Sequence, residues 1–169
     1  MREVLETSLT RLQTDHVDIL HCPHGARMPE ELDDEIIEEL FAQFKQEGKA
    51  RFASLSCHTD PPRVVEKAVD RGFYDLVMST YNIANQGMME SAIRKAHEAD
   101  VGFIAMKAAA GVFTDKPVEV PDWRIQKLNQ VIPGEMKLPV KGYLWALQNP
   151  HIAAVISEMH TTEMITDNL

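Results

Sequence analysis

Cysteine is scarce in this sequence. Cys22 and Cys57 are the only two, so a disulfide framework is not expected and a reducing compartment is. Long apolar runs are missing as well. No stretch approaches the roughly 20 consecutive apolar residues that a membrane-spanning helix needs, and the opening MREVLETSLTRLQTD is charged throughout, unlike a secretory leader. Positive charge is in short supply. Against 26 Asp and Glu stand 17 Lys and Arg, a formal net charge of −9, which argues against nucleic acid and against an anionic membrane surface as partners. An anionic cofactor stays open, because local groups can hold phosphate. What is present is enough apolar material, 44% of 169 residues, for a single cytoplasmic domain spanning residues 1–169 with its own core.

Periodicity organises the chain. Val4, Leu5, Leu9 and Leu12 fall at helical spacing and VDIL reads as a short buried strand. From Glu30 to Lys49, Leu32, Ile36, Ile37, Leu40, Phe41 and Phe44 form one helical stripe, acidic early and basic late, with Gly48 as the stop. ARFASLSC is a second strand. PPRVVEKAVDRG is a helix with Pro at its start and Gly72 near its end, turning Val64, Val65, Ala68 and Val69 inward. DLVMST is a third strand, and Met88, Met89, Ala92, Ile93 and Ala96 stripe the next helix. VGFIAMKA is a fourth. A long connection from Ala109 to about Met136, with Pro117, Pro121 and Pro133, holds a possible short helix in DWRIQKLNQ. LPVKGYLWALQNP is a helix that Pro150 ends, IAAVIS a fifth strand, and TTEMITDNL opens a last helix capped by Thr161 or Thr162.

Strands alternating with amphipathic helices imply an α/β fold of parallel (β/α) units, because parallel strands require crossovers. Length alone favours an open doubly wound sheet, since a closed barrel typically takes about 250 residues. In either architecture, chemistry gathers at the carboxyl ends of the strands. Those ends carry His21, Cys22 and His24, then Ser56, Cys57 and His58, then Tyr81 and Asn82, then Lys107, then Ser157 and Glu158. His21 reads three ways: a satisfied strand-end histidine, an imidazole that orients or protonates a carbonyl, or a zinc ligand with Cys22, His24, Cys57 and His58. The zinc reading is weak, because His21 and Cys22 are consecutive in a strand and point to opposite faces. The same divergence weakens Cys57 as a nucleophile served by His58. Lys107 is either a rim lysine or a phosphate contact. Met78, Met88, Met89 and Met106 read as core fillers.

With these stretches in order, the chain resembles the aldo-keto reductase family, particularly the bacterial oxidoreductases of that superfamily. SLTRLQTDHVDILHCP looks like the helix and strand that end in the family's active-site histidine, and FKQEGKARFASLSCH resembles the segment ending in its serine-asparagine pair. DLVMSTYN, VGFIAMKAAAG and WALQNPHIAAVISEMHTTEMITDNL follow in the family's order. The resemblance implies an eight-stranded barrel of which this chain supplies about five strands, the C-terminal portion of a partial TIM barrel. It implies NAD(P)H-dependent reduction of a small-molecule carbonyl. His21 falls on the histidine that orients the substrate carbonyl, Ser56 and Cys57 on the pair that grips the nicotinamide carboxamide, and Met106 on the residue that stacks against the nicotinamide ring. Lys107 falls where the following loop approaches the cofactor, and Asn168 on a contact to the adenine end.

The departures from the family pattern are specific. Its catalytic aspartate, tyrosine and lysine come from strands that precede the histidine, so this chain alone is expected to be inactive. Cys57 replaces the usual asparagine, and Met78 stands where a glutamine normally bonds the carboxamide. Ser157 and Glu158 replace a common proline and a residue that is often glycine or basic. Met164 stands in place of an arginine that reads the 2′-phosphate in many members, so the resemblance singles out neither NADPH nor NADH. The alternative function is a non-catalytic partial-barrel scaffold that binds a partner or self-associates through open barrel edges. A metal-dependent hydrolase is the third.

Overall fold

The structure is a computed structural model and describes residues 1–22, 25–112 and 120–168. Five strands, β1 (Val17–His21), β2 (Ala50–Cys57), β3 (Leu76–Thr80), β4 (Gly102–Met106) and β5 (Ala154–Val155), pair in parallel in the order β1-β2-β3-β4-β5. That order settles the architecture. A doubly wound sheet reverses its strand order at a switch point, whereas here each strand pairs with the next in the chain and the sheet curls into half of a barrel. The open sheet suggested by length is therefore corrected in favour of the partial barrel.

Helices α1 (Arg2–Leu12), α2 (Glu35–Gln46), α3 (Pro61–Arg71), α4 (Gln86–Glu98), α5 (Asp122–Val131), α6 (Leu138–Leu147) and α7 (Thr162–Asn168) supply the outer layer, joined by 3-10 helices at Pro29–Asp33 and Ala108–Gly111. Local chemistry explains their ends. Pro61 opens α3, where its missing N–H costs nothing, and Gly72 closes it at φ 64, a left-handed angle that glycine adopts without a Cβ clash. The stripe over residues 30–49 is not one helix. Asp34 is extended and its carboxylate accepts from the Ile36 N–H, so α2 begins afresh there and turns Ile36 out to 68% exposure.

Period-two alternation gives the sheet two unlike faces. On the convex side Ala53, Leu55, Cys57, Val77, Phe103 and Ala105 are buried beneath Val64, Val65 and Ala68 of α3 and Met89, Ala92, Ile93 and Ala96 of α4. Met88 projects outward instead, at 61% exposure. The concave side is open: Ile19 and Phe52 remain 45% and 41% exposed. Phe41 meets Phe44 and Phe73 edge-on, at centroid distances of 6.3 and 5.7 Å, and seals the base of α2. Among the described residues no helix is long and apolar enough to cross a membrane.

Candidate functional site

His21 ends β1 on the concave face, and its register partner on β2 is Ser54. The two side chains meet there. His21 Nδ1 lies 2.9 Å from Ser54 Oγ, and burial lowers the imidazole pKa from its ordinary value, so the ring is neutral at neutral pH. Ser54 is fully buried, which leaves Nε2 as the ring atom available to the concave side.

Ser56 lies two residues further along β2, on the same face and half-buried. The chain after β1 returns to it: the Ala26 N–H donates to the Ser56 carbonyl at 2.8 Å. Gly25 permits that approach, since a Cβ there would stand 3.0 Å from Ser56 Oγ and 3.1 Å from its carbonyl oxygen. Cys57 goes the other way. It is fully buried on the convex face, its Sγ donates to Ser79 Oγ at 3.1 Å, and burial raises its pKa. Strand alternation thus divides the expected Ser56–Cys57 pair, and the Cys57 thiol is not presented to the concave face.

At the end of β3 the chemistry is structural. Tyr81 stacks on Trp145 at 5.0 Å, donates to Glu90 and accepts from Asn149, and burial pushes its pKa up to about 12. Asn82 and Asn85 tie the strand end to its neighbours. The Asn82 Nδ2 donates to the Lys107 carbonyl at 3.2 Å, while Asn85 donates to the Thr80 carbonyl at 3.1 Å. Asn82 helps hold Lys107 at the left-handed φ of 55° from which the 3-10 helix Ala108–Gly111 departs.

That 3-10 helix is one wall of a groove of about 1190 Å³ over the ends of β4 and β5. The opposite wall is α6 and α7. Met106, Lys107, Tyr143, Ser157, Met164 and Asn168 all line it, and its size is somewhat above the roughly 300–1,000 Å³ of ordinary small-molecule sites. Ser157 Oγ donates to Tyr143 Oη at 2.8 Å and accepts from Asn168 Nδ2 at 3.3 Å, joining α6, the segment after β5 and α7. Thr161 caps α7 by accepting from the Met164 N–H. Lys137, at the start of α6, ties that helix to α7, 2.8 Å from Glu163 and 2.5 Å from Asp167, and both bonds hold its pKa above the usual lysine value.

The structure therefore brings Met106, Lys107 and Asn168 to one groove, with Ser157 and Glu158 beside them. His21 and Ser56 stand on the concave face of β1 and β2, outside that lining. Tyr143 was not singled out from the sequence. Its signal was available, since it falls one helical turn beyond Pro139 and Val140, which also line the groove. Among the described residues no three His, Cys, Asp or Glu side chains are grouped as a metal site requires. His24, one of the zinc candidates, lies outside the described residues.

Residues 1–169 match the aldo/keto reductase family along their whole length. The chain belongs to that family. It is 23% identical over 187 residues to the uncharacterized oxidoreductase YqkF of Bacillus subtilis, covering all of this chain and 59% of that protein. To the L-galactose dehydrogenase of Arabidopsis thaliana it is 27% identical over 184 residues, covering 56% of that protein. An aldo-keto reductase of Klebsiella pneumoniae, solved in complex with NADPH, superposes with a TM-score of 0.65 at 21% identity, over 99% of this chain and 57% of that one. This aldo/keto reductase chain thus spans a little over half the length of the relatives it matches. The likeness to the solved structure establishes the barrel fold, and the family match agrees with an oxidoreductase type.

Proposed function

We propose that this chain is the cofactor-holding part of an aldo/keto reductase barrel, a single cytoplasmic domain over residues 1–169 serving NAD(P)H-dependent reduction of a small-molecule carbonyl. One observation carries the reading: the groove over β4 and β5 gathers Met106, Lys107 and Asn168, three residues with cofactor roles in the family pattern, in a space large enough for a dinucleotide. The residues fit such a group. Gly142 lets α6 approach the 3-10 wall closely, since a Cβ there would stand 3.1 Å from the Ala108 carbonyl oxygen and 3.2 Å from Ala109 Cα. Lys107 is exposed and, among the described residues, without an ion pair, so its ammonium is available to a phosphate.

When bound, a nicotinamide dinucleotide supplies the hydride; the protein supplies position and charge. In the family pattern Met106 would underlie the nicotinamide, the Ser56 hydroxyl would meet its carboxamide, and Lys107 and Asn168 would hold the phosphates and the adenine end. Cys57 takes part through its backbone only, because its thiol is turned into the helix layer. On the substrate side, a Ser54 hydroxyl that donates to His21 Nδ1 leaves the proton on Nε2. A neutral imidazole in that tautomer donates to a carbonyl oxygen and orients it. None of these residues is the proton donor, which in the family is a tyrosine on a strand before the histidine.

The chain by itself should accordingly bind dinucleotide and turn over almost no carbonyl substrate. Fluorescence titration paired with a carbonyl-reduction assay on the purified chain tests both statements. Rapid NADPH- or NADH-dependent turnover would overturn the second, and absence of binding in a folded sample the first.

A second reading is favoured by the open concave face. Ile19, Phe52 and Ile156 are each more than 40% exposed, and among the described residues β1 and β5 stand at the two edges of the sheet. These features suit a scaffold that self-associates or takes up a partner. Light scattering discriminates the readings: a monodisperse monomer would count against the scaffold.

A further inference from the structure

We infer that α7 is a hinged strap over the groove, latched shut by Lys137 and released by dissolved salt, whichever small molecule the groove takes. The walls of the groove are held in unlike ways. On the fixed side, α6 buries Lys141, Gly142, Trp145 and Ala146. Gly142 brings its backbone against the 3-10 helix Ala108–Gly111, whose Ala108 and Ala109 are themselves buried. On the other side, α7 buries none of its side chains. Its two apolar residues are Met164, which lines the groove, and Ile165, which is 44% exposed.

Polar contacts therefore hold α7 down. Lys137, just before α6, reaches Glu163 at 2.8 Å and Asp167 at 2.5 Å, carboxylates one turn apart on α7. Asn168 Nδ2 adds a bond to Ser157 Oγ at 3.3 Å, and Ser157 is tied to Tyr143 of α6 at 2.8 Å. The hinge lies just upstream. The Ile156 N–H still donates to the Ala105 carbonyl at 3.0 Å, after which residues 157–160 belong to no helix or strand before Thr161 caps α7. A segment with few buried apolar contacts and exposed bonds opens locally at far lower cost than the whole fold. Ions reach the latch, since the side chains of Lys137 and Glu163 are 56% and 77% exposed. Salt screens such pairs, the Debye length falling from about 10 Å at 0.1 M to about 3 Å at 1 M. Docking by buried apolar surface does not depend on charge screening. Because Glu163, Met164, Asp167 and Asn168 line the groove, releasing α7 removes that side of it.

Amide hydrogen exchange on the full chain tests this, with the amides of the buried helix α4 as the internal reference and circular dichroism as the check on folding. A released helix of seven residues does not persist in water, so release is read in its amides. Between 0.05 and 1 M sodium chloride, the amides of residues 165–168 should exchange faster by about fivefold or more while α4 keeps its rate. K137Q should exchange at the fast rate already in 0.05 M salt and lose the salt dependence. K137R keeps the charge and should retain both the protection and its salt dependence. Equal exchange of residues 165–168 at the two salt concentrations in the unaltered chain, or a folded K137Q as well protected as the unaltered chain, would overturn the inference. No dinucleotide enters the experiment, so either result leaves the cofactor reading to its own test.

Discussion

Gly142 and Gly87 both lie inside helices, and alanine at the two positions should have opposite consequences. Replacing a helical glycine by alanine contributes about 1 kcal/mol of favourable propensity. At Gly87, in α4, nothing lies within 4 Å of the added Cβ, so the gain should be realised in part or whole. At Gly142 the new methyl would sit 3.1 Å from the Ala108 oxygen and 3.2 Å from Ala109 Cα, several tenths of an ångström inside the roughly 3.5–4.0 Å optimum for carbon contacts. Both clashing atoms are backbone of a buried 3-10 turn, which cannot rotate away. Overpacking of this kind costs about 1–3 kcal/mol, which exceeds the propensity gain and leaves a net loss of about 1 kcal/mol. For a chain of this length that is about 2–4 °C in Tm. Thermal unfolding followed by circular dichroism should therefore show G142A below the wild type and G87A at or above it. G142A should also weaken dinucleotide binding, because the turn it displaces walls the groove. A G142A variant as stable as G87A would refute the close approach of α6 to that turn.

Burial lowers the His21 pKa below the unfolded value of about 6.5. The unfolded state then binds the proton first, so stability is full above that pH and falls as pH drops toward the folded pKa; urea midpoints between pH 5 and 7 should show this slope, and H21N should reduce it. The Asp75 carboxylate accepts from the buried Ala53 N–H at 2.7 Å and from Lys45 at 2.8 Å. D75A should cost about 1–3 kcal/mol through the orphaned donor, with much of the loss restored in D75N, as equilibrium denaturation will show. F41A removes a fully buried ring and should cost about 3–5 kcal/mol, a loss that a core-independent account would not produce in the same denaturation experiment.

Legibility in the sequence followed how local each determinant was. ARFASLSC coincides with β2, and Pro61 and Gly72 bound α3 as their backbone chemistry requires. The fifth strand shrank from IAAVIS to Ala154–Val155, because strand length depends on a partner and, among the described residues, β5 at the sheet edge pairs with β4 alone. The division between one long stripe and α2 turned on a single cap at Asp34, which the apolar spacing masks. Met88 and Met89 are indistinguishable by composition, yet the helix rotation buries one and exposes the other. Of the site, the strand-end residues were visible as positions. That the Cys57 thiol faces Ser79 follows from alternation along β2, whereas the Tyr143–Ser157–Asn168 chain arises only when α6, β5 and α7 pack together. Family resemblance supplied the barrel that length argued against, since length bears on closure and not on strand order.

The central claim is that the groove over β4 and β5 holds a nicotinamide dinucleotide. Titrating NADH into isotopically labelled chain and following backbone amide shifts tests it most directly. The account predicts saturable shifts concentrated at Met106, Lys107, Ser157 and Asn168. Shifts confined to the opposite end of the strands, around His97 and His151, or none at all in a folded sample, would contradict it.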